Sequence, residues 1–356
     1  MPKPDQTRPD LAQIEVIAPN LKRRLSGVTA TIARLVPIQS RLINIVATGP
    51  GLPAGTPHIS LWQCAVLPRN RWRVWHARRN TEMLLGLFLR HVLRRKLRLV
   101  FTSASQRVHT GYTRWLISKM DAVVATSGRT AGYLHRPSQV VLHGIDTDGF
   151  SPVADKAALR GRLGLPQEAV LLGCFGRIRE KKGTDAFVSA MIAVLPSRPK
   201  AVAIVMGRAT EGHGGFLDGL KAEVAAAGLA DRILFLPEVT VDQMPDWYRA
   251  LDIYVAPQRW EGFGLTPLEA MACGIAVVAT RVGAFEDLVA PGVTGALVDP
   301  GDVAALGDAA AGLIDDPALR AAQADAGRRR AVAQFRIEDE AATLVALYRR
   351  LLDATP

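Results

Sequence analysis

The chain has 356 residues, of which 49% are hydrophobic and 22% are charged, a composition typical of globular rather than disordered proteins. Its length predicts two domains, because one hydrophobic core rarely organises more than about 250 residues. No window approaches the roughly 18 uninterrupted apolar residues of a membrane-spanning helix, and the first residues lack the charged-then-apolar order of a secretory signal.

The formal net charge of +11 is unevenly distributed along the chain. Residues 1–150 hold 22 of the 44 basic residues but only 7 of the 33 acidic ones, so they carry +15 and the remainder carries −4. This asymmetry indicates that the two halves meet different partners, and a solvated basic surface without a role is the plain alternative. The three cysteines form no C-x-x-C pair, so we expect neither disulfides nor a zinc site, in a reducing cytosol.

Apolar runs of strand length recur along the first half of the chain. We predict buried strands at EVIAP (15–19), RLINIVATG (41–49), LRLVFTS (97–103) and AVVATS (122–127). The segment 143–166 that follows is rich in Gly, Pro and Asp, which is typical of a connection between two sheets.

The second half alternates apolar runs with helical patterns. Strands are predicted at 169–176, 201–207, 232–239, 253–258 and 275–282, and helices at 184–195, 215–227, 242–250, 265–272 and 337–352. Strands that are apolar on both faces and alternate with helices form covered parallel sheets. We therefore predict an α/β protein with two Rossmann-like domains, 1–155 and 156–335, facing a central cleft, and a closing helix at 336–356 that packs back toward the first domain.

A basic string follows the strand predicted at 169–176. No G-x-G-x-x-G follows a strand and no G-x-x-x-x-G-K-[ST] string is present, which disfavours dinucleotide-binding and P-loop sites. The string GRIREKKGT (176–184) instead places Arg177 and Lys182 just before a helix predicted to begin near Thr184. Two fixed cations beside a helix N-terminus suit a diphosphate, and an exposed basic loop is an equally good interpretation of this string alone.

A second cluster, PQRWEGFGLTPLEAMACG (257–274), lies where a strand ends and a helix begins. Gly262 and Gly264 allow the backbone to approach a ligand closely, and the amides near Leu265 and Thr266 open the helix as an anion cradle. Glu261 and Glu269, eight positions apart, suit two groups of hydroxyls on one extended ligand. A sugar and a ribose at the two ends of a diphosphate meet that description.

Together, G-R-x4-K-G and E-G-F-G-L-x-P-L-E-A-M-A-x-G resemble the donor site of family 4 of the retaining GT-B glycosyltransferases, and HGID at 143–146 is similar to that family's N-G-V-D element. The resemblance implies a nucleotide-sugar site in the second domain and an acceptor site in the first. It also implies that Arg177 and Lys182 neutralise the pyrophosphate. Glu261 would then hold hydroxyls of the transferred hexose, and Glu269 would hold the ribose.

Further donor contacts are implied by the same resemblance. Gly27 lies in the loop Ser26–Val28, which would approach the phosphates from the first domain, and Val239 lies in the loop 237–241, which would lie beside the base. The remaining implied contacts are Gly176, Gly262, Phe263, Gly264, Leu265 and Thr266. Retention by a front-face route, in which the leaving phosphate helps to deprotonate the acceptor, is likewise implied by the family.

The first half has a narrower resemblance, carried by segments such as VWHARRNTEM (74–83), to mannosyltransferases of alphaproteobacterial lipopolysaccharide cores. Those enzymes move mannose from GDP-mannose to an inner-core Kdo of lipid A at the cytoplasmic face of the inner membrane. Many family members carry a His after the strand at 97–101, where this chain has Thr102. His76, Arg78 and His109 are therefore the candidate contacts to hexose or acceptor.

No D-x-D string and no His/Asp cluster suggests a metal site, so we expect Arg177 and Lys182 to replace a divalent ion, with no cofactor required. A UDP-sugar donor and a sugar-nucleotide 2-epimerase remain alternatives. A nucleic-acid binder is disfavoured, since no motif of that class is present. The segment MLLGLFLRHVLRRKLRLV (83–100) mixes apolar and basic residues, which predicts docking on an anionic membrane surface, or else a core helix with a basic end.

Overall fold

The computed structural model describes residues 9–23 and 27–354, and the chain divides into two compact units. Unit 1 comprises residues 1–144 and 337–356, and unit 2 comprises residues 145–336. The division thus falls earlier in the chain than the boundary expected at 155 and 156, and the closing helix belongs to unit 1.

Unit 1 contains a seven-stranded parallel sheet with the order β3-β2-β1-β4-β5-β6-β7. Its strands, numbered along the chain, are β1 (Val16–Pro19), β2 (Ile45–Thr48), β3 (His58–Ile59), β4 (Arg73–Ala77), β5 (Leu97–Ser103), β6 (Ala122–Ala125) and β7 (Gln139–Val140). Its helices are α1 (Gly27–Gln39), α2 (Leu61–Ala65), α3 (Asn80–His91), α4 (Gly111–Ser118), α5 (Gly128–Gly132) and α14 (Ile337–Asp353).

Alternating side chains of the unit 1 strands enter two separate hydrophobic cores. On one face, Val16 and Val74 pack with residues of α1 and α14, among them Leu35 and Leu344. On the other face, Trp75 packs with residues of α3 and α4. Both faces of the sheet are therefore covered, as the apolar runs predicted.

Unit 2 contains a six-stranded parallel sheet with the order β10-β9-β8-β11-β12-β13. Its strands are β8 (Val170–Phe175), β9 (Ala201–Met206), β10 (Ile233–Leu236), β11 (Ile253–Ala256), β12 (Ala276–Thr280) and β13 (Gly295–Val298). Its helices are α6 (Lys156–Arg162), α7 (Thr184–Val194), α8 (Gly214–Ala226), α9 (Met244–Ala250), α10 (Thr266–Ala272), α11 (Phe285–Leu288), α12 (Val303–Asp315) and α13 (Pro317–Gln334). Every residue of β9, β11 and β12 is buried, so helices cover both faces of this sheet as well.

Three strands of unit 1 were not predicted, namely β3, β4 and β7. Strand β4 was not predicted, because Arg73 and His76 interrupt its apolar character; both are nevertheless buried, at 1% and 0% exposure. In the segment 83–100, the first part belongs to α3, which ends at His91, and Leu97 opens β5 as predicted, in the interior of the sheet. Among the described residues, no helix is long and apolar enough to cross a membrane.

Candidate functional site

The basic string lies at the carboxyl end of β8, as predicted. Gly176 follows the strand, a short 3-10 turn spans Glu180–Lys182, and α7 begins at Thr184. Gly183 joins the turn to α7 with φ of 69°. A Cβ atom at Gly183 would lie 1.9 Å from the carbonyl oxygen of Pro257, so only glycine allows this loop to pack against the end of β11.

The second loop, which follows β11, is bonded to the basic loop and to the start of α7. The Arg259 guanidinium forms a bidentate ion pair with Asp185 of α7, at 2.7 and 2.8 Å. The amide nitrogens of Arg259 and Trp260 donate to the carbonyl oxygen of Lys181 at 3.1 and 3.4 Å. Because charged bidentate contacts fix geometry, the two sequence clusters form one rigid platform at the carboxyl edge of the unit 2 sheet.

Lys182 and Glu261, one from each loop, form an ion pair through Nζ and Oε2. The other carboxylate oxygen of Glu261 accepts from the amide of Gly262 at 2.9 Å. Gly264 has φ of 87°, and a Cβ there would lie 2.7 Å from Cγ of Glu261 and 2.3 Å from the Phe285 ring. The glycine therefore leaves room for the glutamate side chain.

A pocket of about 220 Å³ opens beside this platform. It is lined by Phe175, Gly176, Arg177, Met206, Gly207, Arg208, Glu238, Val239, Met244, Tyr248, Thr266 and Glu269. Five predicted donor contacts thus line one pocket: Gly176, Arg177, Val239, Thr266 and Glu269. The other predicted residues of unit 2, among them Lys182 and Glu261, do not line it.

Glu269 is oriented by a residue that the sequence analysis missed. Tyr248, fully buried on α9, donates its hydroxyl to Oε2 of Glu269 at 2.8 Å. Burial, and then the charge of Glu269, hold the pKa of Tyr248 well above its usual range, so the phenol stays protonated and remains a donor. The string MPDWYRA offered no signal for this role, because a Tyr in a short amphipathic helix is typical of a core residue.

The side chains of Arg177 and Lys182 differ in their exposure and in their partners. Arg177 is exposed and, within the described part of the chain, makes no hydrogen bond or ion pair, whereas the Lys182 side chain is 21% exposed and paired. Arg179, which the sequence analysis did not single out, lies between them. Burial, followed by the charge of Arg177, lowers the pKa of Arg179, which indicates a concentration of positive charge in this loop.

A larger pocket of unit 2, about 410 Å³, lies near Lys156 and Asp252, at the amino end of β11. Asp252 is already paired with Lys156 at 3.1 Å and with Arg160 at 2.6 Å. This pocket contains no predicted site residue and lies at the opposite edge of the sheet from the platform. We therefore assign the candidate site to the smaller pocket.

The unit 1 candidates are less accessible. His76 is 0% exposed, and both of its ring nitrogens are engaged, Nδ1 with the Tyr348 hydroxyl and Nε2 with the Thr102 hydroxyl, each at 2.6 Å. Burial and then Arg78 hold its pKa well below the usual range, so the imidazole is neutral. His76 has no surface to offer a substrate in this structure, and we place it in the packing of unit 1 instead.

Arg78 and His109 have different surroundings. Arg78 is 9% exposed and donates to the carbonyl oxygen of His76 at 3.2 Å. His109 is half-buried and 3.5 Å from the Ser103 hydroxyl, with its pKa lowered by burial and by Arg107 and His135. Of the two, His109 has more surface available. Gly27 opens α1, and Ser26, predicted beside it, lies outside the described residues.

In the described ranges, no group of three or more His, Cys, Asp or Glu side chains is arranged to hold a metal ion. The cationic side chains that the structure places at this site are those of arginine and lysine. Arg177 and Arg208 both line the pocket and are exposed, and of the two Arg177 has no internal partner in the part of the chain described, whereas Arg208 is paired with Glu238.

Comparison with known proteins agrees with this geometry. Residues 155–330 match the family model described as "Glycosyl transferases group 1". The chain is 56% identical to the lipopolysaccharide core biosynthesis mannosyltransferase LpsB of Rhizobium meliloti, over 96% of this chain and 99% of that protein. It is 51% identical to the corresponding mannosyltransferase LpcC of Rhizobium leguminosarum bv. viciae, over 97% of this chain and 98% of that protein.

The fold is also shared with solved structures. Anabaena HepE in complex with UDP superposes with a TM-score of 0.83 over 95% of this chain and 100% of that chain. At 20% sequence identity, this likeness concerns the fold alone. It agrees with the prediction of two Rossmann-like parallel-sheet domains.

Proposed function

Because the chain belongs to the group 1 glycosyltransferases and has the GT-B fold, we propose that it is a retaining hexosyltransferase of lipopolysaccharide core biosynthesis. Its proposed donor is GDP-mannose and its proposed acceptor is a Kdo residue of the lipid A inner core. The two rhizobial relatives, named as core mannosyltransferases and matched along nearly their whole length, support the sugar and the pathway.

The pocket in unit 2 carries this proposal. Gly176, Arg177, Val239 and Glu269 all line it, so one cavity offers a cation, an apolar side chain and a carboxylate. These groups match the phosphate, base and ribose of a nucleoside diphosphate. The adjoining Lys182–Glu261 pair then has the hexose as its partner.

Cleavage of a glycosyl phosphate bond builds negative charge on the departing diphosphate. Fixed cations aimed at that charge stabilise the transition state more than the ground state, because the charge is greatest when the bond breaks. We assign this role to Arg177 and Lys182. Because Lys182 is paired with Glu261, we propose that the donor exchanges part of that ion pair for contacts to phosphate and hexose hydroxyls.

Neither glutamate of the site is well suited to be a nucleophile. Glu261 accepts from Lys182 and from the Gly262 amide, and Glu269 accepts from Tyr248. An ion pair and hydrogen bonds of this kind lower the nucleophilicity of a carboxylate, and they leave it able to accept from the hydroxyls of a ligand. We therefore favour the front-face route, in which a phosphate oxygen of the leaving group takes the acceptor proton.

In the decisive experiment, the purified protein is incubated with radiolabelled GDP-mannose, UDP-glucose or UDP-galactose, each with and without truncated lipid A–Kdo as the acceptor. We expect transfer from GDP-mannose to the lipid acceptor, with retention of the anomeric configuration. Transfer from a UDP-sugar would support the alternative donor class. Release of a free epimer without acceptor would identify a 2-epimerase, and no turnover with any donor would refute the proposal.

We further propose that unit 1 docks on an anionic membrane surface, as a peripheral protein at the cytoplasmic face. On α3 and just beyond it, Leu84, Phe88 and Val92 are 46%, 47% and 62% exposed, and they repeat at helical spacing. The exposed side chains of Arg94 and Lys96 follow them. An apolar stripe beside basic residues is the pattern of an interfacial helix, and each basic residue contributes about 1 kcal/mol near anionic lipid.

The remaining basic residues of this segment have other partners. Arg90 is paired with Asp121 at 2.7 Å, Arg95 donates to the carbonyl oxygen of Leu67 at 2.6 Å, and Arg98 lies over the Trp72 ring. The docking variant should therefore leave them in place, because their loss would disturb the packing of unit 1.

Sedimentation with vesicles tests this surface. A variant with Leu84→Ser, Phe88→Ser, Arg94→Ser and Lys96→Ser should bind vesicles containing phosphatidylglycerol at least tenfold more weakly than wild type. Val241→Ser, which removes an apolar side chain that is 84% exposed on unit 2, serves as the matched control. Equal sedimentation of wild type and the fourfold variant would reject this surface.

A further inference from the structure

The unit 2 sheet places an arginine and a glutamate side by side at the rim of the candidate pocket. Strands β9 and β10 pair in parallel, with Val205 beside Phe235 and Met206 beside Leu236. Arg208 and Glu238 each lie two residues beyond the last pair, so the same register brings them next to each other. Their Nε and Oε1 atoms lie 2.9 Å apart, and both residues line the pocket with Val239.

The ion pair between Arg208 and Glu238 contributes little to the stability of the fold. The two side chains are 72% and 53% exposed, and ion pairs so open to water contribute at most about 1 kcal/mol. For the same reason, a ligand can replace the contact between them at small cost. The pair does place two kinds of hydrogen-bonding group next to each other at the pocket rim: the N–H donors of Arg208 and the two acceptor oxygens of Glu238.

We propose that Arg208 and Glu238 recognise the base of the donor nucleotide and select guanine; this inference rests on the proposed function, since it requires a nucleoside diphosphate in the pocket. Guanine presents the acceptor O6 next to two donors, N1–H and the N2 amino group. The Arg208 guanidinium donates to O6. The Glu238 carboxylate accepts from N1–H and N2–H.

Other bases match this order less well. Uracil presents O4 and N3–H in the same positions, but its O2 then faces the second carboxylate oxygen, which places two acceptors against each other. Adenine presents an amino group to the guanidinium, which places two donors against each other. The pair therefore discriminates by mismatched hydrogen-bonding groups as well as by matched ones.

Calorimetric titration of the full chain with GDP, IDP and UDP tests the inference. IDP lacks only the 2-amino group of guanine, so it isolates one contact to Glu238. We expect wild type to bind GDP at least fivefold more tightly than IDP, at the low end for a bidentate base contact because the site is exposed, and more tightly still than UDP. Glu238→Gln should remove the preference for GDP over IDP. Arg208→Gln should weaken both purine nucleotides and leave their ratio unchanged.

Glu223→Gln, at an exposed position of α8 outside the pocket, is the matched control and should behave as wild type. Equal affinities for GDP and IDP in wild type, tighter binding of UDP, or an unchanged GDP/IDP ratio in Glu238→Gln would each overturn the inference while leaving the donor site intact. If none of the three nucleotides binds, the proposed function itself fails.

Discussion

The two units have related sheets, but they use polar side chains in opposite ways. In unit 2, polar groups at the carboxyl edge remain partly exposed, and the paired side chains of Lys182 and Glu261 keep 21% and 18% of their surface open to solvent. In unit 1, His76 and Glu82 are 0% exposed and fully engaged with other groups of the same unit. Burial, rather than residue type or position on the strand, therefore separates a candidate binding group from a packing group.

The polar cluster around Glu82 illustrates the unit 1 pattern. One carboxylate oxygen of Glu82 accepts from Arg79 at 2.7 Å, and the other accepts from the amide of Arg78 at 2.8 Å. Asn20, also 0% exposed, accepts from Arg79 at 2.8 Å and donates to the carbonyl oxygen of Pro50 at 2.6 Å. A buried network satisfied in this way stabilises the fold and leaves little for a ligand.

The largest expected effect lies in the open network of unit 2. Replacing Arg177 with Ala removes a cation that we propose to face the departing diphosphate, and turnover should fall by roughly 10²–10³. The melting temperature should not change, because the side chain is exposed and unpaired among the described residues. Arg162→Ala, at an exposed position of α6, is the matched control. Steady-state kinetics showing near wild-type turnover in a folded Arg177→Ala protein would remove the assignment.

Substitution of Glu261 and Glu269 should separate the roles of these two carboxylates in unit 2. Glu261→Gln should lower turnover by roughly 10- to 100-fold with little change in GDP affinity, because its proposed ligand is the hexose. Glu269→Gln should weaken GDP binding by a similar factor, because its proposed ligand is the ribose. Calorimetry with GDP and kinetics with the full donor distinguish the two, and the reverse pattern would exchange the roles.

A buried network should respond through stability instead. Tyr348→Phe removes the hydroxyl that engages His76 and should lower the free energy of unfolding by about 1–3 kcal/mol, because a buried polar atom loses its partner. Turnover per folded molecule should stay unchanged. Tyr112→Phe, at a position that is 51% exposed, is the control and should change neither quantity. A large loss of activity at full stability would instead place His76 in the reaction.

The lowered pKa of His76 adds a pH dependence to the same network. The folded state keeps the imidazole neutral, whereas the unfolded chain takes up a proton below about pH 6.5. Stability is therefore fully present above that pH and falls as the pH drops, by up to about 1.4 kcal/mol per pH unit. Urea unfolding from pH 7.5 to 5.5 should show a steeper loss for wild type than for His76→Gln. Parallel curves would contradict this account.

The smallest expected effect is that of chelation. If Arg177 and Lys182 supply the charge that a divalent ion supplies elsewhere, EDTA should change turnover by less than about twofold. Complete loss of activity on chelation, restored by Mg²⁺ or Mn²⁺, would show that the cations of unit 2 are insufficient on their own.

The sequence alone predicted five of the six strands of unit 2, because these runs are uniformly apolar, and it missed β13. The run at 201–207 coincides with β9 (Ala201–Met206), and α7 begins at the predicted Thr184. The G-R-x4-K-G and E-x7-E clusters also converge on one edge, since parallel strands bring their carboxyl ends together. These features depend on local periodicity and on chain order, which a sequence displays directly.

What the sequence could not predict depends on contacts between distant residues. Strand β4 contains Arg73, which is buried because its guanidinium donates to the carbonyl oxygens of Leu11 and Pro68. His76 is buried because Tyr348, 272 positions away, supplies a hydroxyl. Tyr248 next to Glu269 was missed for the same reason. No local pattern distinguishes a polar residue with a distant partner from one that faces a ligand.

The place of α14 in unit 1 has a consequence for how the protein forms on the ribosome. Leu344, Val345 and Tyr348 cover a face of the first sheet whose strands are made more than 200 positions earlier in the chain. Helix α1 covers part of that face early, but the part beneath α14 stays uncovered while all of unit 2, which is one contiguous segment, emerges and becomes able to fold. The nascent chain thus carries an apolar surface for most of its translation, and a stop codon before Ile337 would leave that surface permanently exposed to aggregation.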